Sequence, residues 1–408
     1  MALAGIMHCT MTTTAVQKVS GTVLLKRFLT PFVTVLLTAI LGASGPALAV
    51  DRVVMRKDGR QSEVAGKLLV KAADGGLLLL APDGVMWGIQ PDEIVSQTQD
   101  EEPFKPLSAA QLGKQLLAEL PPGFEIHNTT HYVICHNTSR EYAQWCGALL
   151  ERLNRAFVNY WSRKGCKLHD GEFPLVAIVF ADRDAFARFA ESEVGKAAQN
   201  MIGYYSLKTN RVLMYDLTGS NAGREPGQRR GSTAQINDLL SRPEAEQTVA
   251  TIIHEATHQI AFNCGLQARF ADIPLWVSEG LAVYFETPDL QSAKGWRTIG
   301  GVHYTRLERF REYLPRRPAG SLKSLIADDK RIRDPATALD AYAEAWALNY
   351  YLLRQHPKEY AAYIKQLAEK QPLLWDEPAT RLKEFQAAFG DDLERLDADF
   401  LRQMQRVR

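Results

Sequence analysis

The spacing of apolar residues changes character along the chain and divides it into regions. Over residues 51–97, short apolar runs such as "EVAGKLLVKA" and "GLLLLAP" lie between Asp-Gly pairs at Asp58-Gly59, Asp74-Gly75 and Asp83-Gly84. Short runs bounded by turn residues predict strands of a small barrel or sandwich. The polar, proline-bearing "SQTQDEEPFKP" reads as a linker. A short helix follows, capped by Ser108 and carrying Leu112, Leu116 and Leu117, and Pro121, Pro122 and Gly123 end it. The pattern then alternates. "HYVICHN" and "FPLVAIVFAD" predict strands, and between them Tyr142, Trp145, Leu149, Leu153, Phe157 and Tyr160 recur at helical spacing. "GYYSLKTNRVLMYD" predicts two strands around a turn at Thr209-Asn210. Residues 219–233, rich in Gly, Arg and polar side chains, read as a mobile loop. Nearly everything beyond is helical, and no internal repeat is present.

These readings predict an α+β protein. A small N-terminal β-barrel-like module (50–97) is followed by a linker with a short helix (98–122), an α/β subdomain with a mixed sheet (123–240) and a mainly helical subdomain (241–408). The first 49 residues are different. Lys18, Lys26 and Arg27 precede the apolar "FLTPFVTVLLTAILG", and small residues lead to Ala49. That order predicts a secretory signal peptide cleaved near Ala49, and hence an exported protein, periplasmic or extracellular. Pro31 and Pro46 argue against the alternative of an uncleaved membrane anchor.

Composition adds three limits. The 408 residues are 46% hydrophobic and 23% charged, as in a globular protein. A net charge of +1 without a basic block gives no footprint for nucleic acid. Past the signal segment, Cys135, Cys146, Cys166 and Cys264 allow three pairings in an oxidising compartment, and no CxxC pair suggests a thiol redox or zinc-knuckle centre.

The candidate chemistry lies in "TVATIIHEATHQIAFNCG", residues 248–265. Ser241 can cap this helix, with Pro243 in its first turn and Glu244 completing a capping box; Gly265 is a natural stop. Val249, Ile252, Ile253, Ala256 and Ile260 form one apolar stripe. His254 and His258 fall nearly opposite it, one above the other, so packing of the stripe does not require them. They face either water or a cleft. Two imidazoles one turn apart can reach a single zinc ion, and Glu255 projects to the side, where it can meet a water without being a ligand. A second helix, "IPLWVSEGLAVYFE", follows with Pro274 near its start, and Gly280 permits close approach of another helix.

"HEATHQ" together with "WVSEGLAVYF" resembles the gluzincin class of zinc metallopeptidases, whose second motif runs Trp-x-x-Glu-Gly. "FPLVAIVFAD", "GYYSLKTNRVLMYD" and "YAEAWALNYYL" extend the likeness, across most of residues 123–408, to an uncharacterised family of exported bacterial gluzincin-like proteins. The resemblance implies that His254, His258 and Glu279 bind Zn2+, that Glu255 is the general base, and that peptide or protein is the substrate. It also implies an edge strand that aligns substrate, supplied by "GYYSL" or "RVLMYD". An oxyanion donor from a downstream helix is implied too. Tyr342 is the first candidate and His303 the second, although Tyr342 also sits with Trp346 and Tyr350 on one helical face as a core aromatic would. In one respect the chain departs from the class. Thermolysin-type members carry an aspartate four residues after the ligand glutamate to support a ligand histidine, and here Val283 stands in that place.

Other histidines are weaker candidates. Strand alternation from His127 through His131 to His136 sets His136 on the opposite face from the other two. A different functional class also accommodates the sequence: a non-catalytic, exported or envelope-anchored binding protein that keeps the scaffold and engages a partner through the β module or the cleft.

Overall fold

The computed structural model describes residues 49–218, 236, 240, 243–287 and 299–408. The signal segment, the Ser241 cap and the 219–233 loop lie outside the described residues. Among the described residues no helix is long and apolar enough to cross a membrane.

The architecture is α+β, with a β-rich N-terminal region and a mainly helical C-terminal one. Five antiparallel strands open the described residues: β1 (Ala49–Lys57), β2 (Arg60–Lys71), β3 (Leu77–Leu80), β4 (Met86–Ile89) and β5 (Ile94–Pro103), in the order β4-β3-β2-β1-β5. Strand β2 serves two ladders. Its first half pairs with β1 up to Gly66, and its second half pairs with β3 from Lys67. At Gly66 a Cβ would come within 2.5 Å of the Leu80 carbonyl oxygen, so glycine allows the strand to pass from one ladder to the other. The curled sheet encloses Val53, Met55, Val64, Leu77, Leu79 and Ile89. The sequence reading of a linker fails over 98–103. That stretch belongs to β5, whose ladder with β1 reaches Pro103. Its residues are mostly exposed, so no apolar alternation marked it as a strand.

Helix α1 (Ala109–Glu119) starts as expected at Ser108, which forms a capping box with Gln111. A second five-stranded sheet follows, built from β6 (Glu125–Asn128), β7 (Tyr132–His136), β8 (Leu175–Phe180), β9 (Gly203–Ser206) and β10 (Arg211–Tyr215). Its order is β6-β7-β8-β10-β9. The central strands β7, β8 and β10 run parallel, and the two outer strands are antiparallel to their neighbours. Helices cover both faces, so alternate residues of β8 enter two different cores. Val176, Ile178 and Phe180 pack with α1 and α3 (Arg183–Val194). Leu175, Ala177 and Val179 pack with α2 (Arg140–Arg163) and α4 (Pro243–Asn263).

Further helices among the described residues are α5 (Leu275–Phe285), α6 (Tyr304–Tyr313), α7 (Ser321–Ala327), α8 (Lys330–Arg333), α9 (Ala338–Gln355), α10 (Pro357–Ala368), α11 (Pro378–Phe389) and α12 (Leu393–Arg406). Helices α5 and α9 are buried on nearly every side and form the centre of this region. They touch at Gly280, where an added Cβ would stand 2.1 Å from Asn349 Nδ2 and 2.7 Å from the Ala345 carbonyl oxygen. Asn349 makes that proximity productive, since its Nδ2 donates to the carbonyl oxygens of Trp276 and Ala345, each at 2.8 Å.

Candidate metal centre

Helix α4 passes beneath the second sheet and is tied to it by amide side chains. Gln259 Nε2 donates to the carbonyls of Val176 at 3.0 Å and Asn210 at 2.8 Å, while Asn263 and Asn210 exchange hydrogen bonds. These anchors fix how α4 is rotated about its axis. The apolar stripe from Val249 to Ile260 packs into the core as the spacing predicts. The opposite side is also buried: His254 is 4% exposed, His258 7% and Glu255 5%. The histidines therefore face an enclosed site and not open water.

Helix α5 brings the third member. Its first amide is capped from a distance, Leu275 N–H donating to Asp329 Oδ1 at 3.0 Å. Arg381 in turn donates to that oxygen at 2.9 Å and to Asp272 Oδ2 at 2.9 Å. This buried ion cluster, together with the Gly280 contact, sets the position of Glu279 along α4. The Nε2 atoms of His254 and His258 lie 3.1 Å apart. Glu279 approaches His254 Nε2 at 3.2 Å and His258 Nε2 at 3.6 Å. Among the described residues these three form a group whose ligand atoms all lie within 4.8 Å of one another.

Those separations test the fit to zinc. Four tetrahedral ligands at ~2.05 Å from an ion stand roughly 3.3 Å from each other. The three observed values, 3.1, 3.2 and 3.6 Å, bracket that figure. Two imidazole nitrogens and a carboxylate oxygen converging out of water also call for a cation between them. The donor set and its spacing fit a divalent metal ion.

Each histidine has its other nitrogen engaged. Glu286 Oε1 is 2.5 Å from His254 Nδ1, and its Oε2 is 3.0 Å from His303 Nε2. Ser278 Oγ lies 3.3 Å from His258 Nδ1. With both Nδ1 atoms occupied, the two Nε2 atoms are left to point inward. Glu286 thus takes the supporting place that Val283 leaves empty. Glu286 is the last residue of "IPLWVSEGLAVYFE", and its place seven residues after Glu279, two turns along the same helical side, is the sequence signal for this pairing.

The electrostatics follow this geometry. Burial opposes charge on His254, but its hydrogen bonds to Glu279 and Glu286 hold the imidazole well above its ordinary range. Burial likewise opposes ionisation of Glu279, and the charge of His258 and the bond to His254 hold it well below the usual carboxylate range. Glu255 differs. Burial pushes it upward despite both histidines.

Glu255 is placed by strand β9. Tyr205 N–H donates to Glu255 Oε2 at 2.8 Å. In an antiparallel pair the N–H and C=O of one residue point to the same side, so the Tyr205 carbonyl faces the Glu255 side as well. Between the two segments named as possible edge strands, the topology chooses "GYYS". Strand β10 lies between β8 and β9 and has no open edge.

Tyr342, on α9, is 2% exposed, and its hydroxyl donates to Glu279. Burial and the adjacent Glu279 charge hold that phenol well above its usual range. It is both a core aromatic and a neighbour of the cluster. His303 reaches Glu286 rather than the ligand atoms, and caps α6 through Nδ1. One sequence reading of the histidines needs correction. Pairing of His127 with Ile134 across the β6–β7 hairpin sets His127, Ile134 and His136 on one face, because the chain turns back between the two strands. His131 pairs instead with Glu151 at 2.7 Å. The four cysteines are free and buried, and Cys135 occupies a different core from the other three.

Residues 248–374 match the family described as "Protein of unknown function (DUF1570)", a span that contains His254, Glu255, His258, Glu279, Glu286, His303 and Tyr342. No curated protein matches the chain.

Proposed function

We propose that this protein is an exported zinc-dependent peptidase of the gluzincin type. The observation that carries the reading is the set of three buried ligand atoms at near-tetrahedral separations, with Glu255 beside them against a sheet edge. His254, His258 and Glu279 would hold the zinc, which when bound polarises a carbonyl and lowers the pKa of a water molecule toward neutrality. Glu255 accepts a proton from the attacking water and delivers it to the departing amine nitrogen. The Tyr205 carbonyl accepts a backbone N–H of a peptide lying along β9. Tyr342 turns its single hydroxyl proton from Glu279 to the oxygen on which negative charge develops. Glu286 and Ser278 keep the two imidazoles in the required tautomer and orientation.

The test begins with zinc content of residues 50–408 by plasma mass spectrometry after dialysis, beside His258→Ala and Glu279→Ala. About one zinc per wild-type chain and a clear loss in both variants are expected, followed by loss of peptide hydrolysis in Glu255→Gln with zinc retained. A wild-type chain that holds no zinc after reconstitution ends the proposal. A zinc-loaded chain that cleaves no peptide favours the non-catalytic binding protein.

A further inference from the structure

The tip of the β9–β10 hairpin is gripped by the β module. Met86 N–H donates to the Lys208 carbonyl at 2.8 Å, and the Lys208 ammonium lies 5.2 Å from the centre of the Trp87 ring. Arg269, from the loop between α4 and α5, joins both sides of this contact. Its Nη1 donates to the Gly84 carbonyl of the module at 2.9 Å and to the Leu207 carbonyl of the hairpin at 3.2 Å. Arg269 is 6% exposed, so its charge is enclosed at the junction. A buried guanidinium is retained only where its protons are satisfied, which makes the contact specific in register. Leu78, Leu80, Met86 and Phe173 close the apolar side, with Phe104, Phe270 and Leu373 packed against them.

This junction lies close to the catalytic grouping. Leu207 and Lys208 are two and three residues beyond Tyr205, whose N–H meets Glu255. Ser206 ends β9 and Leu207 and Lys208 lie in the turn after it, so with at most about 3.3–3.6 Å of chain per residue the module stands no more than roughly 7–11 Å from Tyr205, the residue that meets the general base.

From this placement we infer that the β module is the end wall of the substrate cleft and confines cleavage to bonds near the amino terminus of a peptide. The inference rests on the peptidase reading above. A peptide pairing antiparallel to β9, the commoner mode of strand addition, runs its amino-terminal end toward Ser206 and the hairpin tip. At most two or three residues then fit between the scissile bond and the wall. The carboxyl-terminal portion runs toward Gly203, away from the module. Hydrolysis breaks the amide C–N bond, joins the water oxygen to the carbonyl carbon and leaves one water proton on the departing nitrogen. The products are a short amino-terminal fragment with a new carboxylate and a long one with a new amine.

The experiment uses zinc-loaded residues 50–408, a set of unstructured dodecapeptides and mass spectrometry of early products. Cuts after the first, second or third residue are expected. Fluorescein on the amino end should slow cleavage at least tenfold, and the same label on the carboxyl end should leave the rate unchanged. Trp87→Ala and Lys208→Ala, with circular dichroism and zinc content as in wild type, should move cuts inward. Wild-type cuts spread through the interior of the peptides, or gathered at the carboxyl end, overturn the inference and leave the peptidase reading standing. No hydrolysis of any peptide by the zinc-loaded chain removes both.

Discussion

Glu286 braces His254 from behind, its Oε1 standing 2.5 Å from Nδ1 while Glu279 meets Nε2 on the other side of the ring. Two carboxylates seven residues apart, one within α5 and one at its C-terminal cap, thus hold the same imidazole, and only Glu279 also approaches His258. Removing the outer carboxylate charge in Glu286→Gln should weaken zinc binding by roughly 10- to 100-fold with little change in folding. Competition against a chromophoric chelator measures this. An affinity within twofold of wild type would assign Glu286 to packing alone.

Tyr342 touches Glu279 from α9, so its loss can be read separately from loss of the ion. Tyr342→Phe keeps the ring and removes only the donor. If the hydroxyl stabilises the developing oxyanion, kcat should fall by about 10²- to 10³-fold with zinc content unchanged and KM little affected. An unaltered kcat would make Tyr342 a core aromatic.

Helix α5 can present Glu279 only while α9 lies against Gly280. Gly280→Ala places a Cβ 2.7 Å from the Ala345 carbonyl oxygen, a backbone atom that cannot swing aside. Overpacking of this kind costs ~1–3 kcal/mol, to be read as a lowered urea midpoint, and weaker zinc binding should accompany it because Glu279 is the adjacent residue. Full stability would show that the two helices separate easily.

On α2, Glu151 accepts from Thr129 Oγ1 at 2.6 Å and from His131 N–H at 2.7 Å. Burial works to raise its pKa, but these hydrogen bonds hold it below the ordinary carboxylate range. A depressed carboxylate contributes stability in full above the unfolded value, about 4.3, and loses it as pH falls through the folded value. Thermal melts should therefore fall more steeply between about pH 5 and pH 3 for wild type than for Glu151→Gln. The difference at neutral pH should be about 1 kcal/mol, given that His131 is largely exposed and the pair is screened. Parallel curves for the two proteins would remove Glu151 as the source.

The sequence alone determined the local elements and the inner part of the site. Periodicity gave α2 and α4, the Ser108 cap gave the start of α1, and Thr209-Asn210 gave the β9–β10 turn. All of these are set by interactions within a few residues along the chain. The spacing of His254 and His258 belongs to the same class, because one helical turn places two side chains together whatever surrounds the helix.

Tertiary structure decided the rest. That Glu279 comes to both histidines depends on Asp329, Arg381 and Asn349, which lie far along the chain and act through α5. Burial of the histidine side of α4, the bracing of His254 by Glu286 and the choice of β9 over β10 as the edge all follow from which elements become neighbours. So does the grip of Arg269 on the β module. A strand's place in a sheet and a side chain's remote partner are not encoded in local period or spacing, since they are settled when separate segments compete to bury apolar surface and satisfy the same polar groups.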